Sequence, residues 1–310
     1  MEDPRLKRHF ERGIIPPLPT PLSEPDSLDR EGLERLIEHV LSGGVHGLFV
    51  LGTTGEGPSL HHRLRHEVVQ CTCDQVAGRV PVLVGITDTC IAEAVELAEA
   101  AYEVGAAAAV AAPPCYYPEG QDEVLDYFQQ LADALPLPLM LYNIPDHTTV
   151  ALEPDTVKAA ADAPGIVGIK DSSGSRENLR ELAEAVGDRE HFGLFVGPEL
   201  LLAEALKLGG RGGVPGGANI WPGLYVELYR AAREGDEQRL EALHKKVEEI
   251  NAGLYNAGPG SYRPLQAIKC ALSCLEICGE QTAPPIRPLG EEERRRIWRF
   301  VEQFSWQAGE

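Results

Sequence analysis

Lys170 closes the apolar run Ile166-Val167-Gly168-Ile169 and is followed by Asp171-Ser172-Ser173-Gly174. A lysine ending an apolar strand is set to point into a pocket, where desolvation favours the neutral amine. A neutral amine facing a ketone forms a Schiff base. Its protonated nitrogen accepts electrons from a breaking or forming C–C bond. The chain has seven lysines: Lys7, Lys158, Lys170, Lys207, Lys245, Lys246 and Lys269. All but Lys170 fall in the N-terminal segment or in stretches with helical patterning. The alternative is a strand-end lysine that only reaches solvent along its own stem.

Three other strand ends carry side chains suited to the same chemistry. The run Leu139-Met140-Leu141-Tyr142-Asn143-Ile144-Pro145 spaces Tyr142 to face the same mouth, where a phenol shuttles protons for imine formation. Its bland alternative is a core tyrosine with a satisfied hydroxyl. Leu51-Gly52-Thr53-Thr54-Gly55-Glu56-Gly57 makes a strand-to-helix turn whose N–H groups suit a carboxylate, with hydroxyls beside them; Gly/Thr turns are also common without function. Pro113-Pro114-Cys115-Tyr116-Tyr117-Pro118 reads as a rigid aromatic loop, or as packing.

The elements that must position these residues follow from periodicity. Short apolar runs at 13–17, 47–52, 80–87, 106–113, 137–144, 166–170, 194–197 and 212–215 read as eight strands. Helical stretches at 29–43, 59–77, 88–104, 121–135, 154–162, 175–187 and 199–208 alternate with them. In 88–104, Ile91, Val95, Ala98 and Tyr102 keep a helical spacing and Asp88-Thr89 supply a cap. Strict alternation favours a (β/α)8 barrel over a doubly wound sheet. No Gly-x-Gly-x-x-Gly follows the first strand, against a dinucleotide-binding fold. Helical patterning resumes at 222–234, 236–254, 262–278 and 290–307. The expected organisation is a barrel over 1–222, its last helix at about 222–234, and a C-terminal helical extension over 235–310 that packs against it.

Composition narrows the class of function. The 310 residues carry a net charge of −20, and the one basic run, Arg294-Arg295-Arg296, follows three glutamates; nucleic acid and anionic membrane are poor partners. No stretch reaches the roughly 18 apolar residues of a transmembrane helix, and the charged segment 1–12 lacks the apolar core of a signal peptide. Seven scattered cysteines suit a reducing cytoplasm. Cys71 and Cys73 lack zinc spacing, and Cys270, Cys274 and Cys278, four apart, read as small packing residues on one helix face. His61, His62 and His66 read as solvated at a helix start. No metal is expected.

Taken together these residues resemble the dihydrodipicolinate synthase/N-acetylneuraminate lyase family of class I, Schiff-base aldolases. The likeness runs from Gly13-Ile14-Ile15-Pro16 and Pro19-Thr20-Pro21 through Gly52-Thr53-Thr54-Gly55-Glu56, Tyr142-Asn143-Ile144-Pro145 and Gly168-Ile169-Lys170-Asp171-Ser172-Ser173-Gly174 to Gly212-Gly213-Val214-Pro215-Gly216-Gly217-Ala218-Asn219. The resemblance implies that Lys170 forms an imine with pyruvate or another 2-keto acid, with no cofactor. It implies Tyr142 as general acid/base, Thr53 as its proton relay, and Thr53 with Thr54 as holders of the keto-acid carboxylate. Val214 would lie beside the keto acid. Tyr116 matches a tyrosine that family members lend to a neighbouring subunit, with Cys115 where another tyrosine often stands; this implies a homotetramer, a dimer of dimers.

Two departures bear on the substrate. Synthases of dihydrodipicolinate carry an arginine two residues after the proline of Tyr-Asn-x-Pro; here that position is His147, and an imidazole cannot make a bidentate pair with a carboxylate. Those synthases usually follow the lysine with Glu-Ala-Thr-Gly, where this chain has Asp171-Ser172-Ser173-Gly174. The latter resembles aldolases of 2-keto-3-deoxy sugar acids and 4-hydroxy-2-oxoglutarate. Ser172 and Glu199, the latter just after Gly197, are candidates for binding substrate hydroxyls, although such residues are usually only solvated. The expectation is a cytoplasmic lyase that joins or splits pyruvate and an aldehyde. The alternatives are dihydrodipicolinate synthase, a keto-acid dehydratase of the same family, and a non-catalytic keto-acid sensor.

Overall fold

The computed structural model describes residues 12–117, 119–187, 189–256, 260 and 262–306. Lys7 with the other residues of 1–11, Pro118 of the aromatic loop, and residue 307 of the last expected helix lie outside the described residues. The chain opens with β1 (Gly13–Ile14), a hairpin of β2 (Leu22–Glu24) and β3 (Ser27–Leu28), and α1 (Arg30–Ser42). It continues through β4 (Leu48–Val50), α2 (His62–Val76), β5 (Val82–Gly85), α3 (Ile91–Glu103), β6 (Ala108–Ala111) and α4 (Gln121–Ala134). Next come β7 (Leu139–Asn143), the short α5 (Pro145–Thr148), α6 (Pro154–Ala160), β8 (Ile166–Asp171) and α7 (Arg176–Val186). β9 (Gly193–Val196), α8 (Leu202–Lys207) and β10 (Gly212–Gly213) complete the strands; α9 (Pro222–Glu234), α10 (Glu237–Leu254), α11 (Arg263–Cys274) and α12 (Glu291–Gln303) follow.

The eight parallel strands run in the order β1-β10-β9-β8-β7-β6-β5-β4. A parallel bridge between Pro17 and Phe49 brings the two ends of the sheet together, with Leu18 N donating to Phe49 O at 2.8 Å and Phe49 N to Pro16 O at 3.0 Å. The fold is the expected (β/α)8 barrel with C-terminal helices. Alternation along each strand divides the core in two. Ile15, Phe49, Leu83, Val110, Met140, Tyr142, Phe195 and Val214 fill the barrel interior. Their sequence neighbours, such as Val50, Val84, Ala109, Leu141 and Val196, pack outward under the helices.

The departures from the expected elements are local and have physical causes. The β2/β3 hairpin, only three and two residues long, is too short to show a period. The expected helix 199–208 splits into a 3-10 turn, Glu199–Leu201, and α8, because Pro198 leads the chain in and Glu199 is pulled inward. α11 stops at Cys274, so Cys278 lies beyond it and the expected cysteine face breaks; burial pushes the Cys270 and Cys278 thiols up to about 12. Asp88 does not cap α3. Its Oδ1 accepts from Cys90 N at 3.1 Å and its Oδ2 meets Arg65 at 3.1 Å. His61 is not merely solvated: its Nδ1 accepts from Leu64 N at 3.0 Å and caps α2. No helix among the described residues is long and apolar enough to cross a membrane.

Candidate active site

Strand register builds the centre of the site. Tyr142 on β7 and Lys170 on β8 are paired residues of a parallel ladder, as are Asn143 and Asp171 one step on. Paired positions share a face, and successive positions alternate. Tyr142 and Lys170 therefore point together into the barrel, while Asn143 and Asp171 point together outward. Lys170 is 4% exposed. Its Nζ lies 4.0 Å from the centroid of the Tyr142 ring and 5.0 Å from that of Phe49. Thr53 Oγ1 is 3.2 Å from the Tyr142 hydroxyl, and Lys170 and Ser172 lie near enough to that phenol to lower its pKa. A buried amine, a phenol and two aliphatic hydroxyls thus converge at the C-terminal end of the barrel, an arrangement able to form an imine and move protons around it.

The outward-facing pair holds this geometry. Asn143 Nδ2 donates to Asp171 Oδ1 at 2.7 Å, and Asn143 Oδ1 accepts from Leu152 N at 3.0 Å. Asp171 Oδ1 also accepts from Asn178 Nδ2 of α7 at 3.1 Å, and Oδ2 from Ser173 Oγ at 2.9 Å. Asn143 and Asp171 are both 0% exposed, so each bond forms out of water and fixes the strand ends carrying Tyr142 and Lys170. Burial pushes the Asp171 carboxyl above its ordinary range, against the hydrogen bonds from Asn143, Ser173 and Asn178. In the sequence Asp171 stands out only as part of a motif; its position one step from Lys170, on the opposite face, is the signal for its role.

The loop after β4 is tightly wound. Leu51 and Glu56 take left-handed backbone angles, φ 59° and 58°, which β-carbon residues rarely adopt. Glu56 N donates to Thr53 O at 3.1 Å and Gly57 N to Gly52 O at 3.2 Å. A Cβ at Gly57 would lie 2.1 Å from Leu51 O, so only glycine permits the closure. Thr53 and Thr54 are half-buried, and among the described residues no group accepts a hydrogen bond from either backbone N–H. These two donors suit an anion.

The remaining candidates divide. Val214 is buried in the barrel interior. Gly197 lies against the centre: a Cβ there would fall 2.2 Å from Ser172 Oγ and 3.4 Å from Lys170 Cε. His147, on α5, is exposed. Tyr116 is 77% exposed and packs edge-on against Tyr117 with centroids 5.1 Å apart; it makes no contact with the phenol of Tyr142 within this chain. Glu199, the other candidate for substrate hydroxyls, is not solvated. It is 6% exposed and accepts from Gly217 N and Tyr255 Oη, both at 2.7 Å, and from Tyr225 Oη. With both oxygens engaged it braces the turn after Val214.

Electrostatics single out Tyr142. Burial alone would push its phenol up, but the Lys170 cation and the hydrogen bonds from Thr53, Lys170 and Ser172 outweigh it and hold the phenol below its ordinary value. Burial drives Tyr225 and Tyr255 the other way, well up. Phenolate absorbance followed with rising pH is therefore expected to show Tyr142 ionising early, a step absent from Tyr142→Phe. In Lys170→Met the cation is gone, burial prevails, and the step moves to higher pH. An early step unchanged in Lys170→Met would contradict the coupling.

The model of the dihydrodipicolinate synthetase family matches residues 10–304. A 4-hydroxy-tetrahydrodipicolinate synthase of Methanopyrus kandleri is 34% identical over 295 residues, covering 94% of this chain and 96% of that protein. YagE of Escherichia coli K12, provisionally named a 2-dehydro-3-deoxy-D-gluconate aldolase, is 33% identical over 300 residues, 94% of this chain and 97% of its own. Its crystal structure in complex with pyruvate superposes with a TM-score of 0.89, covering 94% of this chain and 98% of that one. The structure of dihydrodipicolinate synthase from Bacteroides thetaiotaomicron is 47% identical with a TM-score of 0.91, covering 95% of this chain and 99% of that one.

Proposed function

Because the chain belongs to the dihydrodipicolinate synthetase family, we propose that it splits a 2-keto-3-deoxy sugar acid or 4-hydroxy-2-oxo acid into pyruvate and an aldehyde, or joins them, through an imine on Lys170. The observation that carries this reading is the Lys170 amine 4.0 Å from the Tyr142 ring, with Thr53 Oγ1 at the phenol. The substrate ketone condenses with the Lys170 amine and loses water, giving a protonated imine. Tyr142 takes the proton of the C4 hydroxyl. The C3–C4 electron pair passes to the imine as the bond breaks, leaving the enamine of pyruvate and a free aldehyde. Protonation at C3 and hydrolysis return pyruvate and the amine, with no metal or cofactor in any step.

Thr53 relays protons to Tyr142, and the N–H groups of Thr53 and Thr54 hold the carboxylate beside Val214 and Gly197. Ser172 lies within reach of both the phenol and a substrate hydroxyl. The exposed Tyr116 completes the relay of a neighbouring copy, in a homotetramer built as a dimer of dimers. The enzyme works in the cytoplasm on small acids, not on nucleic acid or membrane.

A second reading, condensation of pyruvate with aspartate semialdehyde, is favoured by the name of the Methanopyrus kandleri relative. The position that an arginine fills in such synthases is His147 here, which cannot grip the semialdehyde carboxylate through two parallel bonds. Steady-state assays should give a kcat/KM for pyruvate release from 2-keto-3-deoxy sugar acids about 100-fold above that for the condensation, as expected when a site lacks a partner for a substrate's polar group. A faster condensation would transfer the assignment to the synthase.

A further inference from the structure

Lys269 is a second buried lysine, and the proton relay leaves it unused. It lies on α11, with its side chain and that of Glu56 both 0% exposed. The two form an ion pair, Lys269 Nζ donates to Gln281 O, and Glu56 Oε2 accepts from Ala283 N at 2.7 Å. Glu56 stands two residues after Thr54, and its own N–H closes the turn onto Thr53 O at 3.1 Å. We propose that Lys269, through Glu56, is a positioning residue that holds the Thr53–Thr54 turn in the shape that receives the keto-acid carboxylate.

Three observations support it. Glu56 is held at φ 58°, a conformation that needs an external restraint in a residue with a β-carbon. For the Glu56 side chain that restraint comes from Lys269 on α11 and from Ala283 in the segment between α11 and α12. A buried ion pair is also a poor device for stability alone, because well-packed apolar residues serve as well. What it adds is a unique, directional anchor. Burial pushes the Lys269 ammonium down and the Glu56 carboxylate opposes this; paired in this way, the amine is engaged and is no rival to Lys170.

This inference rests on the imine reading above, and the two are separated by borohydride trapping with pyruvate and with acetone, a ketone lacking the carboxylate. The wild type should label on Lys170 and not on Lys269. Lys269→Met should slow trapping of pyruvate about tenfold while changing that of acetone less than twofold. The double variant Glu56→Gln/Lys269→Met carries no unpaired buried charge; it should regain thermal stability without regaining the preference for pyruvate. Ile297→Ala, which opens a cavity under α12, should lower thermal stability and leave that preference intact. Equal loss with both ketones, no loss in either variant, or recovery of the preference in the double variant would overturn the proposal. A wild type that pyruvate does not label removes the imine reading, and this inference with it.

Discussion

Lys170→Met is expected to lose the borohydride-trapped pyruvyl adduct entirely and to lower kcat by about 10⁴-fold or more, equivalent to about 5.4 kcal/mol of barrier. Methionine keeps an unbranched stem of similar length and fits between the Phe49 and Tyr142 rings, which lie 5.0 and 4.0 Å from Nζ. No cavity opens. The variant also replaces a polar head group by an apolar one at a site 4% exposed, and a buried polar group costs desolvation energy. Thermal unfolding should therefore occur at the same temperature or higher, so a defect in folding cannot explain the lost activity. The other lysine on the inner side of the molecule, Lys269, is engaged by Glu56 and supplies no replacement nucleophile. Peptide mapping of trapped wild type and variant, together with the rate of pyruvate release, checks this. A pyruvyl adduct that persists on another residue of Lys170→Met would move the imine elsewhere.

The barrel and the centre of its site were legible because both depend on local pattern. Short runs of four to six residues such as Val82–Gly85 and Ile166–Asp171 are marked as buried strands by their length and by the amphipathic helices between them. Lys170 and Tyr142 stand at the ends of such runs, where the fold puts its chemistry. The hydroxyl at Thr53 followed from its turn. Alternation could have revealed Asn143 and Asp171 too, since each follows an inward residue by one step.

Residues whose role depends on distant partners were not legible. Lys269 looked like any lysine on an amphipathic helix, yet it is 0% exposed because the turn at Glu56 meets it from the opposite end of the chain. Glu199 read as a strand-end candidate for substrate hydroxyls; Tyr225 on α9 and Tyr255 just past α10 draw it inward. In each case a buried acid in a barrel loop meets donors from helices after the last strand, and no period in the sequence encodes that meeting. The C-terminal helices thereby grip the loops after β4 and β9, the same loops that carry Thr53, Thr54 and Gly197.

The second large effect is expected at Tyr142, the proposed acid/base. Tyr142→Phe should lower kcat by about 10²- to 10⁴-fold, the usual contribution of a positioned acid/base. The ring still packs edge-on to Phe49, with centroids 6.4 Å apart, and the phenol with its hydrogen bond to Thr53 is what is removed. Lys170 remains, so the pyruvyl adduct should still form under borohydride, only more slowly. Thr53→Val tests whether the threonine acts through the phenol. If Thr53 serves only to pass protons to Tyr142, the double variant should be no slower than Tyr142→Phe alone, because removing the relay costs nothing once its acceptor is gone. Losses that multiply would give Thr53 a separate role. A Tyr142→Phe enzyme with undiminished kcat would remove the phenol from the proton path and leave the hydroxyls of Thr53 and Ser172 as the groups to test.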